Sequence, residues 1–294
     1  MKTFLKIIGR LLANLWGFLS FCRRLAGNIA FVAVLVFLAA LFLAGRRDSL
    51  PEGAVLVLSP AGALVEQRSE GFLSNELLGE EIAAETVLRD LVDALDLSKE
   101  DPRIKAVLLD LRNLTSAGLS KLQDAGAAIQ RFRQSGKPVI AAADIYTQRA
   151  YFLAAHADRI YLNPMGGVLL TGFGIYHNYY KSALDKLLVQ LHVFRVGTYK
   201  SALEPFMRND MSEFDREASS ALVEALWASF KADVASGRGI AAATIYYYTY
   251  PFPERLAYHV GDAARLALSF NRLYELKTGE EVRQDLIRTP EAQR

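Results

Sequence analysis

Residues that could do chemistry are concentrated in one segment, residues 192–210, with the sequence HVFRVGTYKSALEPFMRND. In this segment Lys200 follows an apolar run and a Gly-Thr turn. A lysine works as a general base only if burial lowers its pKa from about 10.4 toward about 7 or 8. That change corresponds to roughly 3.5 to 4.5 kcal/mol of differential interaction. A lysine in a loop is more often solvated, so by residue type alone Lys200 is only a candidate base.

The nucleophile that such a base would activate is not evident from the motifs. Ser201 is adjacent to Lys200, but neighbouring side chains of an extended segment point to opposite sides, so the two are badly placed to share a proton. The chain contains no Gly-x-Ser-x-Gly sequence, which argues against the α/β-hydrolase mechanism.

The remaining motifs do not favour a cofactor or a metal. Gly172-Phe173-Gly174 lacks the third glycine and the following acid of a dinucleotide site. The histidines are scattered, without the spacing of paired metal ligands; they are His156, His177, His192 and His259. Cys22 is the single cysteine. We therefore predict no metal and no organic cofactor.

Strand patterns and helix patterns alternate along the chain after residue 50. The predicted strands are 54–58, 104–111, 139–143, 159–162 and 193–196. The predicted helices are 86–98, 119–133, 149–157, 177–188, 212–236, 263–268 and 280–286. Ser212 with Asp215 forms a capping-box-like start to the long helix 212–236. A short run at 63–65 is expected to pair near the first strand. This alternation predicts an α/β fold of stacked β-α units with a largely parallel sheet, in which Lys200 follows a strand.

The N-terminal residues predict a membrane anchor. Residues 28–44 read NIAFVAVLVFLAALFLA, without a charge, and with the flanking glycines they are long enough to span a bilayer. Five basic residues and no acid precede this run, which favours a cytoplasmic N-terminus. The preceding basic, apolar stretch fits an interfacial helix or an unstructured tail. A signal peptide cleaved near Ala44 is the alternative, and the arginines that follow disfavour it.

Composition narrows the class of protein. Apolar residues make up 52% of the chain and charged residues 22%, which fits neither a disordered chain nor a protein with many membrane spans. The formal net charge is +2, with 34 basic and 32 acidic residues. Because several basic residues surround the predicted anchor, no basic surface for a nucleic acid is expected on the rest of the chain.

Three segments together resemble signal peptide peptidase A, also called protease IV, in its long two-repeat form. They are VFRVGTYKSALEPFMRNDMS at 193–212, AYFLAAHADRIYLNP at 150–164 and GDAARLAL at 261–268. The resemblance implies a fold similar to that of crotonases and caseinolytic protease subunits. It also implies a serine peptidase in which a lysine amine takes the proton of the serine, and this lysine corresponds to Lys200.

The resemblance also shows a departure from the family pattern. The nucleophilic serine of the family lies in a Ser-Gly-Gly-Tyr stretch before a short apolar helix. The corresponding residues here are Gln148-Arg149-Ala150-Tyr151, and the Gln148 amide cannot act as a nucleophile. In the long form the serine belongs to the second repeat, which would follow this chain.

The sequence thus predicts three regions: a basic cytoplasmic segment at 1–27, a transmembrane helix at 28–45 and a periplasmic peptidase-like domain at 46–294. The expected function is that of a bacterial inner-membrane Ser/Lys endopeptidase, or its lysine-bearing half, that degrades signal peptides and other apolar peptides. The expected partners are peptide substrates, the lipid bilayer, and either further copies of the chain or a partner chain that carries the serine.

Two other functions remain open on the sequence. One is a catalytically silent, membrane-anchored assembly or peptide-binding protein, which the glutamine at position 148 favours. The other is an acyl-CoA enzyme on the related fold, which a periplasmic location opposes because CoA is cytosolic.

Overall fold

The computed structural model describes residues 2–44, 50–69, 84–270 and 275–288. The chain forms two compact units, Met1–Leu50 and Pro51–Arg294. The first unit contains helix α1 (Lys2–Ala44), which continues without a break through the predicted boundary between residues 27 and 28. Its stretch Trp16–Ala40 has a mean hydropathy of 1.8 and is long and apolar enough to cross a membrane. Residue 45, the predicted end of the span and part of the alternative cleavage site, lies outside the described residues.

The second unit has eight described strands in two sheets. They are β1 (Ala54–Leu58), β2 (Gly62–Val65), β3 (Glu85–Val87), β4 (Ile104–Asp110), β5 (Leu114–Ser116), β6 (Val139–Thr147), β7 (Arg159–Leu169) and β8 (Glu275–Leu276). The larger sheet has the order β1-β4-β6-β7-β8, and every neighbouring pair is parallel. The smaller sheet has the order β3-β2-β5 and is also parallel. The predicted α/β class with parallel sheets is therefore confirmed.

The helices of the second unit follow the strands as expected for β-α units. They are α2 (Leu88–Glu100), α3 (Leu119–Arg133), α4 (Gln148–Ala154), α5 (Lys181–Lys186), α6 (Glu204–Met207), α7 (Glu213–Arg238), α8 (Ala242–Thr249), α9 (Phe252–Tyr258), α10 (Ala263–Ser269) and α11 (Gly279–Arg288). The predicted helix 119–133 is confirmed at both ends. It buries Leu122, Ile129 and Phe132 in the main core because these residues lie on one helical face.

The prediction for residues 63–65 is wrong in its pairing. This run does form a strand, β2, but β2 pairs with β3 and β5 in the smaller sheet, whereas β1 pairs with β4 in the larger one. The chain changes sheets at Gly62, whose φ of +69° turns the backbone there. A side chain at Gly62 would also collide with the Ala84 carbonyl, so the turn requires glycine.

The predictions directly before Lys200 are also wrong in part. Residues 193–196 form no strand, and the helix predicted at 177–188 is reduced to the six residues of α5. Phe194 and Val196 are 95% and 85% exposed. Branched and aromatic residues favour a strand when they have a sheet to pack against, and these side chains contact none within the described chain. Lys200 therefore lies in an irregular segment rather than after a strand.

The face of the larger sheet that points away from the main core packs against α11. There Ile140, Tyr161 and Val282 form a small second core. A polar cluster borders this core: the Tyr161 hydroxyl donates to Asp285, and Lys277 Nζ lies 3.1 Å from the same carboxylate. Burial tends to lower the pKa of Lys277, but hydrogen bonds to Asp285 and Glu275 outweigh it and raise this pKa to about 12.

Candidate active site

The turn between β6 and α4 places Gln148 at the end of a central strand of the larger sheet. β6 ends at Thr147, and α4 begins at Gln148. Thr147 is the N-cap of the helix, and its hydroxyl oxygen accepts a hydrogen bond of 3.3 Å from the Ala150 amide. The helix behind it is anchored firmly because Tyr151 and Phe152 are fully buried. The position predicted to correspond to the family serine is thus held by a helix that is anchored in the core.

The Gln148 side chain is fully engaged with the backbone that follows β7. Its Oε1 atom accepts hydrogen bonds from the Thr171 amide (3.0 Å) and the Gly172 amide (2.7 Å). Its Nε2 atom donates to the Gly172 carbonyl at 3.1 Å. Gly172 has a φ of +72°, a conformation that glycine adopts without strain. Gln148 therefore links the β6–α4 turn to residues 171–172.

The stretch that contains Lys200 lies on the surface. Lys200 itself is exposed, and its amide donates to the Gly197 carbonyl at 3.4 Å, which closes a turn. Gly197 has a φ of +112°, in the region that glycine favours. Within the described residues the Lys200 amine makes no hydrogen bond and no ion pair. The burial that a neutral lysine requires is not provided by the described part of this chain.

A buried carboxylate lies close to the backbone of Lys200. Glu204, the first residue of α6, is only 2% exposed. It accepts hydrogen bonds from the Ser212 amide (3.1 Å) and the Ser212 hydroxyl (2.7 Å). Burial tends to raise the pKa of Glu204, but these hydrogen bonds and the charges of Arg208 and Arg195 outweigh it and hold this pKa below its usual value. Glu204 is therefore ionised at neutral pH.

Arg195 connects this carboxylate to Lys200. Its Nη1 atom donates to the Lys200 carbonyl at 2.8 Å and lies 3.7 Å from Glu204 Oε1. On the other side of Glu204, Ser212 caps α7, with its hydroxyl oxygen accepting from the Asp215 amide at 3.1 Å. This serine was recognisable in the sequence as a helix cap, whereas no pattern indicated the roles of Arg195 and Glu204.

Of the residues predicted for the site, the structure places Gln148 at a rigid turn and Lys200 on an exposed segment. In the part of the chain that is described, no hydrogen bond joins the side chains of Lys200, Ser201 and Gln148 to one another. Lys200 as a catalytic residue stays a prediction.

A cavity of about 380 Å³ adjoins the segment that contains Lys200. Its apolar lining includes Leu184, Leu191 and Phe206, and its polar lining includes Lys181 and His192. Asp185 and Gln190 add two further polar groups, so the lining of this cavity is mixed and does not by itself indicate an apolar ligand.

Residues 131–250, which contain both Gln148 and Lys200, match the model of Peptidase family S49. This part of the chain is therefore an S49 peptidase domain. Over its length the chain is similar to a protein named Protease 4 from Salmonella typhi: the two are 34% identical over 297 residues, which cover 98% of this chain and 48% of that protein. The resemblance to signal peptide peptidase A is thus confirmed, and the chain spans about half the length of the curated relative that it matches.

Two solved structures illustrate the fold neighbours. One is described as a membrane-bound stomatin-specific protease; it is 12% identical, with a TM-score of 0.44, over 79% of this chain and 84% of that one. The other is an enoyl-CoA hydratase/isomerase family member, 13% identical with a TM-score of 0.35, over 70% of this chain and 66% of that one. The assignment to the α/β class rests on the parallel sheets described above.

Proposed function

We propose that this chain is the lysine-bearing part of a membrane-anchored Ser/Lys endopeptidase that degrades signal peptides and other apolar peptides. The observation that carries the proposal is the position of Lys200 within the S49 domain, on a segment whose backbone is bonded to a buried, ionised network. In the proposed reaction a serine hydroxyl attacks the peptide carbonyl, and the Lys200 amine accepts the proton of that hydroxyl.

In this proposal the serine comes from outside the described residues or from another chain, because no described serine is hydrogen-bonded to the Lys200 amine. Gln148, at the position of the family serine, offers an amide without nucleophilic character, and both of its polar atoms are used in hydrogen bonds. A further repeat or a partner chain that covers the Lys200 segment would supply the nucleophile and the burial that a neutral lysine needs.

Apolar substrates are favoured by the surroundings of Lys200. Phe194, Val196 and Leu203 expose apolar side chains on the same stretch, which an apolar peptide could contact. Cleaved signal peptides are apolar and remain near the bilayer. A helix with the apolar stretch Trp16–Ala40 would hold the enzyme at the inner membrane, with its N-terminus in the cytoplasm and the peptidase domain in the periplasm.

A catalytically silent peptide-binding or assembly protein is the second candidate. The observation that favours it is the engagement of Gln148, since three hydrogen bonds give this residue a structural role at the place of a nucleophile.

The test is a cleavage assay with the full chain in detergent on an unstructured apolar peptide. Lys200→Ala is compared with Lys186→Ala, which removes another exposed lysine from the same part of the surface. Cleavage that disappears in the Lys200 variant alone supports the peptidase. Equal cleavage by wild type and Lys200→Ala overturns it. Because the proposal takes the serine from elsewhere, a chain that does not cleave alone is assayed again with a serine-bearing S49 chain added. Binding of the peptide without cleavage by any variant in that mixture favours the silent protein.

A further inference from the structure

Lys200 lies on a mostly exposed stretch, in which the neighbouring Tyr199 donates to Glu217 of α7 at 3.1 Å. Between residues 187 and 203, most side chains are exposed, including Leu188 at 89% and Phe194 at 95%. A lysine that accepts a proton from a nucleophile has to be held within hydrogen-bond distance of it, and misplacement by about 1 Å can cost about 100-fold in rate. The contacts that fix the Lys200 backbone therefore bear directly on the proposed reaction.

Three groups connect the Lys200 backbone to the core. Arg195 donates to the Lys200 carbonyl at 2.8 Å and lies 3.7 Å from Glu204. Glu204 accepts two hydrogen bonds from Ser212. Ser212 caps α7, a helix of 26 residues whose other end buries Phe230 and Val234 in the main core.

The chemistry of Glu204 suits this role. A carboxylate offers two acceptor oxygens, and here one meets the Ser212 hydroxyl while the other meets the Ser212 amide. Its negative charge also lies at the N-terminus of α7, where the helix dipole stabilises an anion. Hydrogen bonds to a charged group are roughly twice as strong as neutral ones.

We infer that Glu204 and Arg195 are positioning residues for Lys200: the buried Glu204 carboxylate holds the Arg195 guanidinium, which in turn holds the Lys200 main chain. The inference rests on the proposed function for its role in catalysis, but the positioning itself is a property of the folded chain.

Two substitutions separate this role from general stability. Glu204→Gln removes the charge that attracts Arg195 and replaces one acceptor oxygen with an NH₂ group, so one of the two hydrogen bonds accepted from Ser212 is lost or reversed. Arg195→Ala removes both contacts of a side chain that is 35% exposed, so the fold should persist. Glu213→Gln is the matched control, because Glu213 is an exposed carboxylate in the first turn of the same helix.

The first measurement is amide hydrogen exchange of the full chain in detergent, resolved to peptides that contain residues 195–208. The amides of Lys200 and Glu204 close turns in this region and report its order. We expect both variants to exchange about tenfold faster here, as the loss of one charged hydrogen bond implies, with the peptides of α3 unchanged. Exchange equal to that of Glu213→Gln overturns the inference.

The second measurement is kinetic, on the peptidase preparation that cleaves the apolar peptide. We expect Arg195→Ala to lower kcat about tenfold or more with little change in KM, and Arg195→Lys to recover part of the loss because it keeps the charge. A change in KM alone, or no recovery by lysine, contradicts a positioning role. If Lys200→Ala cleaves normally, the proposed function fails, and the exchange data still decide whether Glu204 and Arg195 hold the segment.

Discussion

The side chain of Gln148 pairs with the backbone of Gly172 in both directions: Nε2 donates to the Gly172 carbonyl at 3.1 Å, and the Gly172 amide donates to Oε1 at 2.7 Å. Together with the bond from Thr171, this pairing fixes the chain that leaves β7 against the start of α4. At a position where related peptidases are expected to carry a nucleophile, this chain thus carries a glutamine that joins two backbone segments by hydrogen bonds.

Gln148→Ala should therefore loosen residues 171–174 and lower the free energy of unfolding by about 1 to 2 kcal/mol, since three hydrogen bonds are lost, two of them partly buried. Urea unfolding and amide exchange would measure both effects. Gln130→Ala is the control, because Gln130 is exposed on α3. A loss no larger than that of the control would show that the pairing contributes nothing.

Gly126→Ala should destabilise the second unit, although alanine normally improves a helix by about 1 kcal/mol. A Cβ atom at Gly126 would lie 2.9 Å from the His156 ring, which is buried and bonded through Nδ1 to the Phe152 carbonyl. Overpacking of this kind costs about 1 to 3 kcal/mol. Thermal unfolding would show a lower Tm, whereas Gly279→Ala, where a Cβ meets no atom within 4 Å, should leave it unchanged.

Asp285→Asn should weaken the packing of α11 in a way that depends on pH. Burial tends to raise the pKa of Asp285, but its hydrogen bonds with Tyr161 and Lys277 outweigh this, so the folded pKa is lowered. The carboxylate therefore stabilises the fold above the ordinary aspartate value of about 3.9, and this contribution is lost as the pH falls through the lowered pKa. We expect wild type to exceed the variant in Tm at pH 7 and the gap to close in acid. A gap that does not change with pH would refute this.

Leu35→Arg should reduce retention of the chain in membranes. Leu35 lies within the apolar stretch Trp16–Ala40 and near the middle of the predicted span 28–45, and an arginine at the centre of a spanning helix costs about 2.5 to 3.5 kcal/mol. Carbonate extraction of membranes followed by immunoblotting would measure the released fraction. Leu97→Arg, at a leucine of α2 that is 76% exposed, is the matched control. Equal release of the two variants would argue against a membrane-spanning helix.

The intact mass of the membrane-extracted protein should include the residues before Ala44, since the arginines after the apolar run disfavour signal-peptide cleavage. Mass spectrometry would decide this directly. A mature N-terminus near residue 45 would show that the run is a signal peptide.

The sequence predicted well those elements whose burial pattern is local. The helix 119–133 is correct because its apolar stripe repeats within a few residues. The N-cap at Ser212 is correct because a capping serine contacts an amide only three residues away. The strand predicted at 193–196 is absent. β-Branched residues indicate that a segment suits a packed sheet surface, but they do not show that a neighbouring strand is present. The bond between Gln148 and Gly172 joins residues 24 apart, so no local pattern could reveal it. Glu204 likewise looked like an ordinary surface acid, and only the fold showed that it is buried.

The contacts that hold Lys200 are short-range in sequence. Arg195 reaches Lys200 over 5 residues, Glu204 reaches Ser212 over 8, and Ser212 reaches Asp215 over 3. Contacts of low sequence separation form quickly, since little loop entropy is lost in closing them. The lysine-bearing segment can therefore order itself as soon as α7 forms, without waiting for the parallel strands to assemble. Such a segment is also suited to transfer into another protein, because most of the residues that fix its conformation lie within the segment itself.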